Sequence, residues 1–298
     1  MTAGRWPNLF LVGAAKAGTS SLYAHLARHP EVYMAPMKEP HYFSRIHPDP
    51  RLAPFFPYID DEESYLRLFA DATSERFLGE ASTSYFWDET SAWAIKRASP
   101  EAKIIVMLRE PVARAYSHYW NDVREGFERR SFRQAINEEL EDGTRERGWG
   151  VSSLYVECGL YAEQVLRYVR AFPESVALLF FEDFVADTHG ELTRVLAFLE
   201  IDTQAAFVEG GARNPFALPR GALSAKVIGS GRVRSIVRRV VPRTMRAYAR
   251  SLLLVQTPKP PVDPDVAALL HEVFRPDVRA LQALLDRKVP WPEYGEGD

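Results

Sequence analysis

Cysteine is nearly absent: Cys158 stands alone in 298 residues. One cysteine excludes an internal disulfide framework and a cysteine-rich zinc site, and it fits a reducing compartment. Long apolar runs are missing too. The stretch from Leu9 to Ala15 is too short to span a bilayer, and Lys16 interrupts it. It leads into Gly18-Thr-Ser rather than a cleavage site, so no targeting segment is read. There is no internal repeat and no low-complexity tract. A net charge of −3 carries no global nucleic-acid signature. No G-x-G-x-x-G is present, which argues against a dinucleotide fold. No carboxylate pair or histidine cluster suggests a metal, so none is expected. The last absence is local: Gly210 to Val262 holds no Asp or Glu, while Arg and Lys recur.

What is there alternates. Apolar runs at Leu9–Val12, Arg76–Glu80, Lys103–Leu108 and Val176–Phe181 read as buried strands. Helical patterns follow them: one opening at Thr19, then Glu62–Phe69, Trp87–Ala98, Val112–Arg124, Ser131–Leu140, Ser153–Phe172 and Asp187–Leu199. Two final helices are expected at Asp265–Phe274 and Asp277–Arg287, separated at Pro276. The pattern predicts an α/β, P-loop-like three-layer fold with a central, mainly parallel sheet flanked by helices. Ligands bind beyond the carboxyl ends of such strands. Lys16, Glu80, Arg109 and Glu182 are expected there. We read residues 1–298 as a single domain, with a core at 8–200 and a basic, mostly helical part at 201–298 covering the cleft.

The stretch Phe10–Tyr23 reads as strand, small-residue loop and helix N-terminus, a cradle for an anion. A nucleotidase loop carries its lysine directly after the second glycine. Here Thr19 stands at that place and Lys16 lies three residues earlier. Arg109 and Ser117, past a second strand, are a guanidinium and a hydroxyl suited to a phosphate dianion.

The displaced lysine has a parallel. Lys16-Ala-Gly-Thr-Ser-Ser-Leu22 resembles the 5′-phosphosulfate loop of the sulfotransferases that use 3′-phosphoadenosine 5′-phosphosulfate (PAPS). Arg109-Glu-Pro-Val-Ala-Arg-Ala-Tyr-Ser117 resembles their 3′-phosphate stretch. Lys38-Glu-Pro-His-Tyr-Phe43 resembles the catalytic-glutamate segment of the heparan-sulfate and carbohydrate branch. The resemblance covers most of residues 8–200. It implies a PAPS-dependent enzyme of soluble bacterial type that needs no metal. Lys16, Ala17, Gly18, Thr19, Ser20 and Ser21 would hold the phosphosulfate, and Arg109 and Ser117 the 3′-phosphate. Glu39 would be the general base, with His41 the alternative. Arg213, Arg220 and Gly221 fall where relatives close a basic loop over the donor. Glu80 follows the Phe77–Gly79 strand, and where one carbohydrate subgroup has a lysine after the corresponding glutamate, this chain has Ala81.

The expectation is transfer of a sulfuryl group from PAPS to a hydroxyl, less readily an amine, of a glycan, glycolipid or secondary metabolite. Adenosine 3′,5′-bisphosphate (PAP) would be released. Glu80, Ser82 and Tyr155 are candidate acceptor contacts. A cytoplasmic location is expected, with no nucleic-acid partner. A peripheral contact with an anionic membrane through 226–250 is a further expectation of the acid-free basic run. The competing readings are an ATP-dependent P-loop kinase or NTPase and a non-catalytic nucleotide-binding protein.

Overall fold

A computed structural model describes residues 5–45, 58–142, 154–204, 217–231 and 251–295, with the single positions 233, 237, 240 and 245. Its centre is a five-stranded, wholly parallel sheet: β1 (Leu9–Gly13), β2 (Val32–Met34), β3 (Phe77–Ala81), β4 (Lys103–Leu108) and β5 (Val176–Phe180). The order across the sheet is β2-β3-β1-β4-β5. Every residue of β1 and β3 is buried, as are all but the first of β4. Continuous apolar runs are what a parallel strand covered on both faces requires. Each fully buried aliphatic or phenyl side chain contributes about 1.5–3 kcal/mol.

The flanking helices are α1 (Thr19–Leu26), α2 (Glu62–Leu66), α3 (Ser84–Trp87), α4 (Ser91–Ala98), α5 (Pro111–Glu125), α6 (Phe132–Asp142), α7 (Tyr161–Ala171), α8 (Phe181–Ala186), α9 (Thr188–Phe198), α10 (Ala222–Ile228) and α11 (Pro264–Leu285). A small antiparallel pair, β6 (Ala217–Pro219) with β7 (Leu254–Gln256), was not anticipated from the sequence. It joins the two ends of the basic segment.

Local chemistry explains the boundaries near the site. Gly18 caps α1 at φ +94°, a left-handed geometry, and a Cβ there would lie 2.7 Å from the Phe181 ring. Before α5, the Glu110 carboxylate accepts from Val112 N and Ala113 N at 2.8 and 2.6 Å, and Pro111 opens the helix. Gly126 ends it at φ +81°.

Three expectations fail for identifiable reasons. The helix expected over Trp87–Ala98 splits into α3 and α4 at Asp88. That carboxylate accepts from Ser44, Arg45, Thr90 N and Thr90 Oγ1, so it fixes a turn instead. The helix expected from Ser153 starts only at Tyr161. Glu139 accepts from three successive backbone N–H groups, of Tyr155, Val156 and Glu157, and holds that stretch out of the helix. Pro276 does not separate two helices. It lies inside α11, whose buried stripe Val266, Leu270, Phe274, Val278 and Leu281 runs through it unbroken. The burial of that stripe outweighs the one hydrogen bond the proline removes.

Asp277, one residue later, accepts from Tyr161 N at 2.6 Å and Ala162 N at 3.2 Å. A side chain of the C-terminal helix thus caps α7. Asp277→Ala should lower unfolding free energy by about 1–3 kcal/mol through two orphaned donors, while Asp277→Asn, which keeps an acceptor, should lose less. Urea denaturation of the three proteins measures this.

Candidate active site

The order of the sheet places the site. β1 lies between β3 and β4, so the loop after β1 has the ends of both neighbours beside it, at the point where the chain changes direction across the sheet. Lys16 comes from the β1 loop, Arg109 from the end of β4, and Thr83 from the end of β3.

Three of the five non-glycine residues described with positive φ are Lys16 (+69°), Glu39 (+60°) and His41 (+57°). Left-handed backbone in such residues costs energy and persists only where surroundings impose it. The imposing contacts are visible. Glu39 N donates to Ala81 O at 2.9 Å, and His41 N donates to Ser82 Oγ at 3.2 Å. The Lys16 carbonyl accepts from Arg109 Nη1 at 3.2 Å.

Lys16 Nζ donates to Asn121 Oδ1 at 3.1 Å, and Arg124 Nη2 donates to the same oxygen at 2.8 Å. Burial, then the nearby Arg124 charge, lowers the Lys16 pKa to about 8. Lys38 Nζ donates to Ser20 Oγ at 2.8 Å and Thr19 Oγ1 at 3.2 Å, and lies 3.6 Å from Glu39 Oε1. One ammonium therefore connects the cradle hydroxyls to the candidate base. The other Glu39 oxygen accepts from Thr83 N at 2.7 Å. A small pocket lined by Ala14, Ala15, Thr83, Ser84 and Trp87 lies between the cradle loop and the β3–α3 turn.

Arg109 is held over the Phe181 ring, 4.5 Å from its centroid, and burial lowers its pKa. Its Nε is buried and meets no acceptor among the described residues. Such a donor suits an anion arriving from outside. Ser117 lies four residues before Asn121 on α5, hence on the same helix face, and is half-buried. Lys259 approaches from the C-terminal segment. Its ammonium lies 4.5 Å from the Tyr116 ring centroid, and Tyr116 Oη donates to Pro261 O. Its pKa falls to about 8 through burial and then through Arg109 and Lys16, which places it in their field. Arg220 Nε is spent on the Leu254 carbonyl, and Gly221 caps α10 in extended geometry. Arg213 lies outside the described residues.

Beneath Glu39 is a buried polar layer. Glu80 is fully buried and accepts from Tyr65 Oη (2.8 Å), Tyr85 Oη (2.7 Å) and Ser82 Oγ (2.9 Å). Burial raises its pKa to about 7. His41 is also buried; its Nδ1 and Ser84 Oγ share a hydrogen bond of 2.7 Å, and its Nε2 lies 3.8 Å from Glu39 Oε2. Desolvation lowers its pKa to about 4, so it is neutral near pH 7. Glu80 and Ser82, expected as acceptor contacts, are instead fully buried supports of the Glu39–His41 turn. Glu80 lies within β3 rather than past its end. Tyr155, the third such expectation, is also fully buried, and its hydroxyl donates to Asp122. Glu182 accepts from Glu110 N and from Trp291 Nε1, bracing the start of α5.

Lys38, Asn121, Arg124 and Lys259 were not among the sequence candidates. Lys38 reads in sequence as a surface partner of Glu39. Asn121 had a findable signal, its position one helical turn after Ser117. Lys259 had none beyond its place in the basic run. Among the described residues no group of His, Cys, Asp and Glu is arranged to hold a metal ion.

The chain belongs to the sulfotransferase family, whose model matches residues 7–205. Mouse heparan sulfate glucosamine 3-O-sulfotransferase 6 is 32% identical, over 65% of this chain and 52% of its own. Rat carbohydrate sulfotransferase 15 is 27% identical, over 65% of this chain and 44% of its own. This chain thus spans about half the length of these curated relatives. A solved sulfotransferase from Alicyclobacillus acidocaldarius is 32% identical, with a TM-score of 0.73 over 96% of this chain and 98% of that one. The fold of a mouse sulfotransferase solved with PAP, SULT7A1, also matches, at 16% identity, a TM-score of 0.50, and coverage of 95% and 88%.

The raised pKa of Glu80 has a measurable sign. Its carboxyl titrates near 4.5 in the unfolded chain and about 7 in the fold, so folding takes up a proton between those values. The stability this contributes is complete below pH 4.5 and lost as pH rises through 7. Glu80→Gln keeps an acceptor for both tyrosines without a titrating group. Denaturation across pH 5–8 should show wild-type stability falling relative to Glu80→Gln by about 1–3 kcal/mol.

Proposed function

We propose that the chain transfers a sulfuryl group from PAPS to an acceptor hydroxyl. The observation that carries this is the Lys38 bridge: it joins the anion cradle (Thr19, Ser20) to a carboxylate, Glu39, held in strained backbone on the other side. A cradle alone suits any phosphate compound; a cradle facing a positioned base suits group transfer. The name of the PAP complex among the matched folds supports the donor. The names of the curated relatives support a glycan acceptor.

In this reading the Thr19–Ser21 hydroxyls and the loop N–H groups take the 5′-phosphate. Arg109, through its unpaired Nε, takes the 3′-phosphate together with Ser117 and Lys259. The acceptor oxygen attacks sulfur, and the S–O bond to the bridging oxygen breaks with its electron pair leaving on PAP. Lys16 neutralises the charge that builds on that oxygen. Glu39 takes the acceptor proton. Thr83 N holds the Glu39 carboxylate in place, and His41, neutral and buried, lies 3.8 Å from it and carries no charge itself.

Calorimetry with PAP and with ATP, both without metal, tests the donor. PAP should bind and ATP should bind weakly; the reverse would sink this reading in favour of a kinase or NTPase. Glu39→Gln should keep PAP binding and lose about 10²–10⁴-fold in kcat in an assay with labelled PAPS. Turnover equal to wild type would remove Glu39 as the base. Because Lys16 works as an ammonium and titrates near 8 rather than 10.5, kcat/KM should fall as pH rises above about 8. Lys16→Arg should move that limb to higher pH at a lower plateau.

A further inference from the structure

The pocket between the cradle loop and the β3–α3 turn is built unlike the donor site beside it. The donor site gathers cations: Lys16, Lys38, Arg109, Arg124 and Lys259. None of the side chains lining the pocket carries a charge. Cys158 in its wall has its thiol pushed up to about 12 by burial and stays neutral.

The neighbours of the pocket define its place. Ala14 and Ala15 in one wall run directly into Lys16. Thr83 in another donates through its backbone N to Glu39 Oε2 at 2.7 Å. A molecule whose hydroxyl lies between Lys16 and Glu39 therefore has this pocket beside it. The cavity volume of about 10 Å³ admits one group of hydroxyl size.

The pocket also holds an unanswered hydrogen-bond acceptor. Gln164, on the first turn of α7, lines it and is 4% exposed. Its Nε2 donates to Leu160 O at 2.6 Å and to Glu157 O at 3.1 Å. Two carbonyl partners settle which end of the amide is the nitrogen. The other end, Oε1, is buried and meets no donor among the described residues. A buried oxygen without a donor is costly to keep, and a ligand group that donates to it removes the cost. The turn that carries Gln164 is braced. Asp277 accepts from Tyr161 N and Ala162 N at its start. Arg167, one turn after Gln164, donates to the Trp87 carbonyl at 3.3 Å and fastens α7 to the wall that Trp87 forms.

We propose that Gln164 is a specificity-determining residue, whose Oε1 accepts from a neutral second hydroxyl of the acceptor, adjoining the one attacked. The acceptor class is a vicinal diol or polyol, uncharged at that second position. A carboxylate or sulfate there would face a carbonyl oxygen and find no cation in the pocket. A methyl group there would leave Oε1 unpaired. The assignment rests on the sulfuryl-transfer reading for which groups react, while the binding itself is measured without turnover.

Three probes of similar size separate the cases: ethylene glycol, ethanol and glycolate. The full chain, labelled with nitrogen-15 in its glutamine amides, is titrated with each, with and without PAP. The Gln164 side-chain resonance is assigned by its absence in Gln164→Leu. It should shift with ethylene glycol at concentrations tenfold or more below those at which ethanol or glycolate move it. An unmoved resonance, or equal responses to the three probes, would overturn the proposal. A crystal soaked in ethylene glycol needs no variant. A glycol hydroxyl should lie about 2.7–3.0 Å from Gln164 Oε1, and a pocket without glycol would count against the proposal equally. PAP binding is followed by calorimetry on the same preparations. A glycol response without PAP binding would sink the donor reading and leave the pocket assigned. PAP binding without a glycol response would do the reverse.

Discussion

Pairing on both edges of β1 is the constraint from which the site follows. Leu9–Leu11 match Gly79–Ala81 on one side and Lys103–Ile105 on the other. The loop that leaves β1 is then tied at once to the next strand by Ala14 N donating to Met107 O at 2.6 Å. With both neighbours parallel, three chain segments end at one edge of the sheet. Residues distant in sequence, near 16, 83 and 109, are brought together by the sheet, and the Arg109 guanidinium then donates to the Lys16 carbonyl at 3.2 Å. Local interactions between the side chains oppose the gathering, since five of them, Lys16, Lys38, Arg109, Arg124 and Lys259, are cations.

That gathering is electrostatically uphill, and the structure offsets it with neutral oxygen acceptors as well as carboxylates: Arg124 Nε meets buried Glu125 Oε1 at 3.1 Å and Lys38 Nζ lies 3.6 Å from Glu39 Oε1. Asn121 shares one amide oxygen between Lys16 and Arg124, and the Thr19 and Ser20 hydroxyls receive Lys38. Neutral acceptors hold the cations in place without cancelling their charge, so the field remains available to an anion. On the opposite side the design is inverted. Glu80 is buried among two tyrosines and a serine, and its neutral form is favoured. With a pKa of about 7 it carries only part of a full negative charge beneath Glu39 near neutral pH. Glu39, the proposed base, is part-exposed, and Glu80 beneath it is buried.

Much of the fold was legible because its strands are buried on both faces and so read as apolar runs, and because caps announce themselves: Glu110-Pro111 before α5, Asp187 before α9. The cradle was legible for the same reason, being local in sequence. What escaped was nonlocal. Glu139 holding 155–157 out of α7, the Ser44 and Arg45 contacts that fix Asp88 between α3 and α4, and burial carrying α11 through Pro276 all depend on partners more than a few residues away. The same holds at the site. Lys38 and Lys259 acquire meaning only from what they meet. Glu80 and Ser82 are buried because adjacency to a strand end does not tell exposure from burial, and Tyr155, read on a helix, is buried in the stretch that Glu139 holds out of that helix.

The cap on α7 has a consequence for the order of assembly. Asp277 fixes Tyr161 N, and Tyr161 Oη donates to the Arg109 carbonyl. Trp291 fixes Glu182, which receives Glu110 N, and Tyr294 Oη donates to Glu110 Oε1. Both residues at the start of α5 are thus secured from positions 277–294. During synthesis all five strands of the central sheet emerge before those residues do. A growing chain can pair its sheet and form its lysine loop while the arginine half of the pocket is still unsecured. The corner at Arg109 and Glu110 is therefore completed last, by the closing helix and the residues after it, rather than by the strands of the sheet.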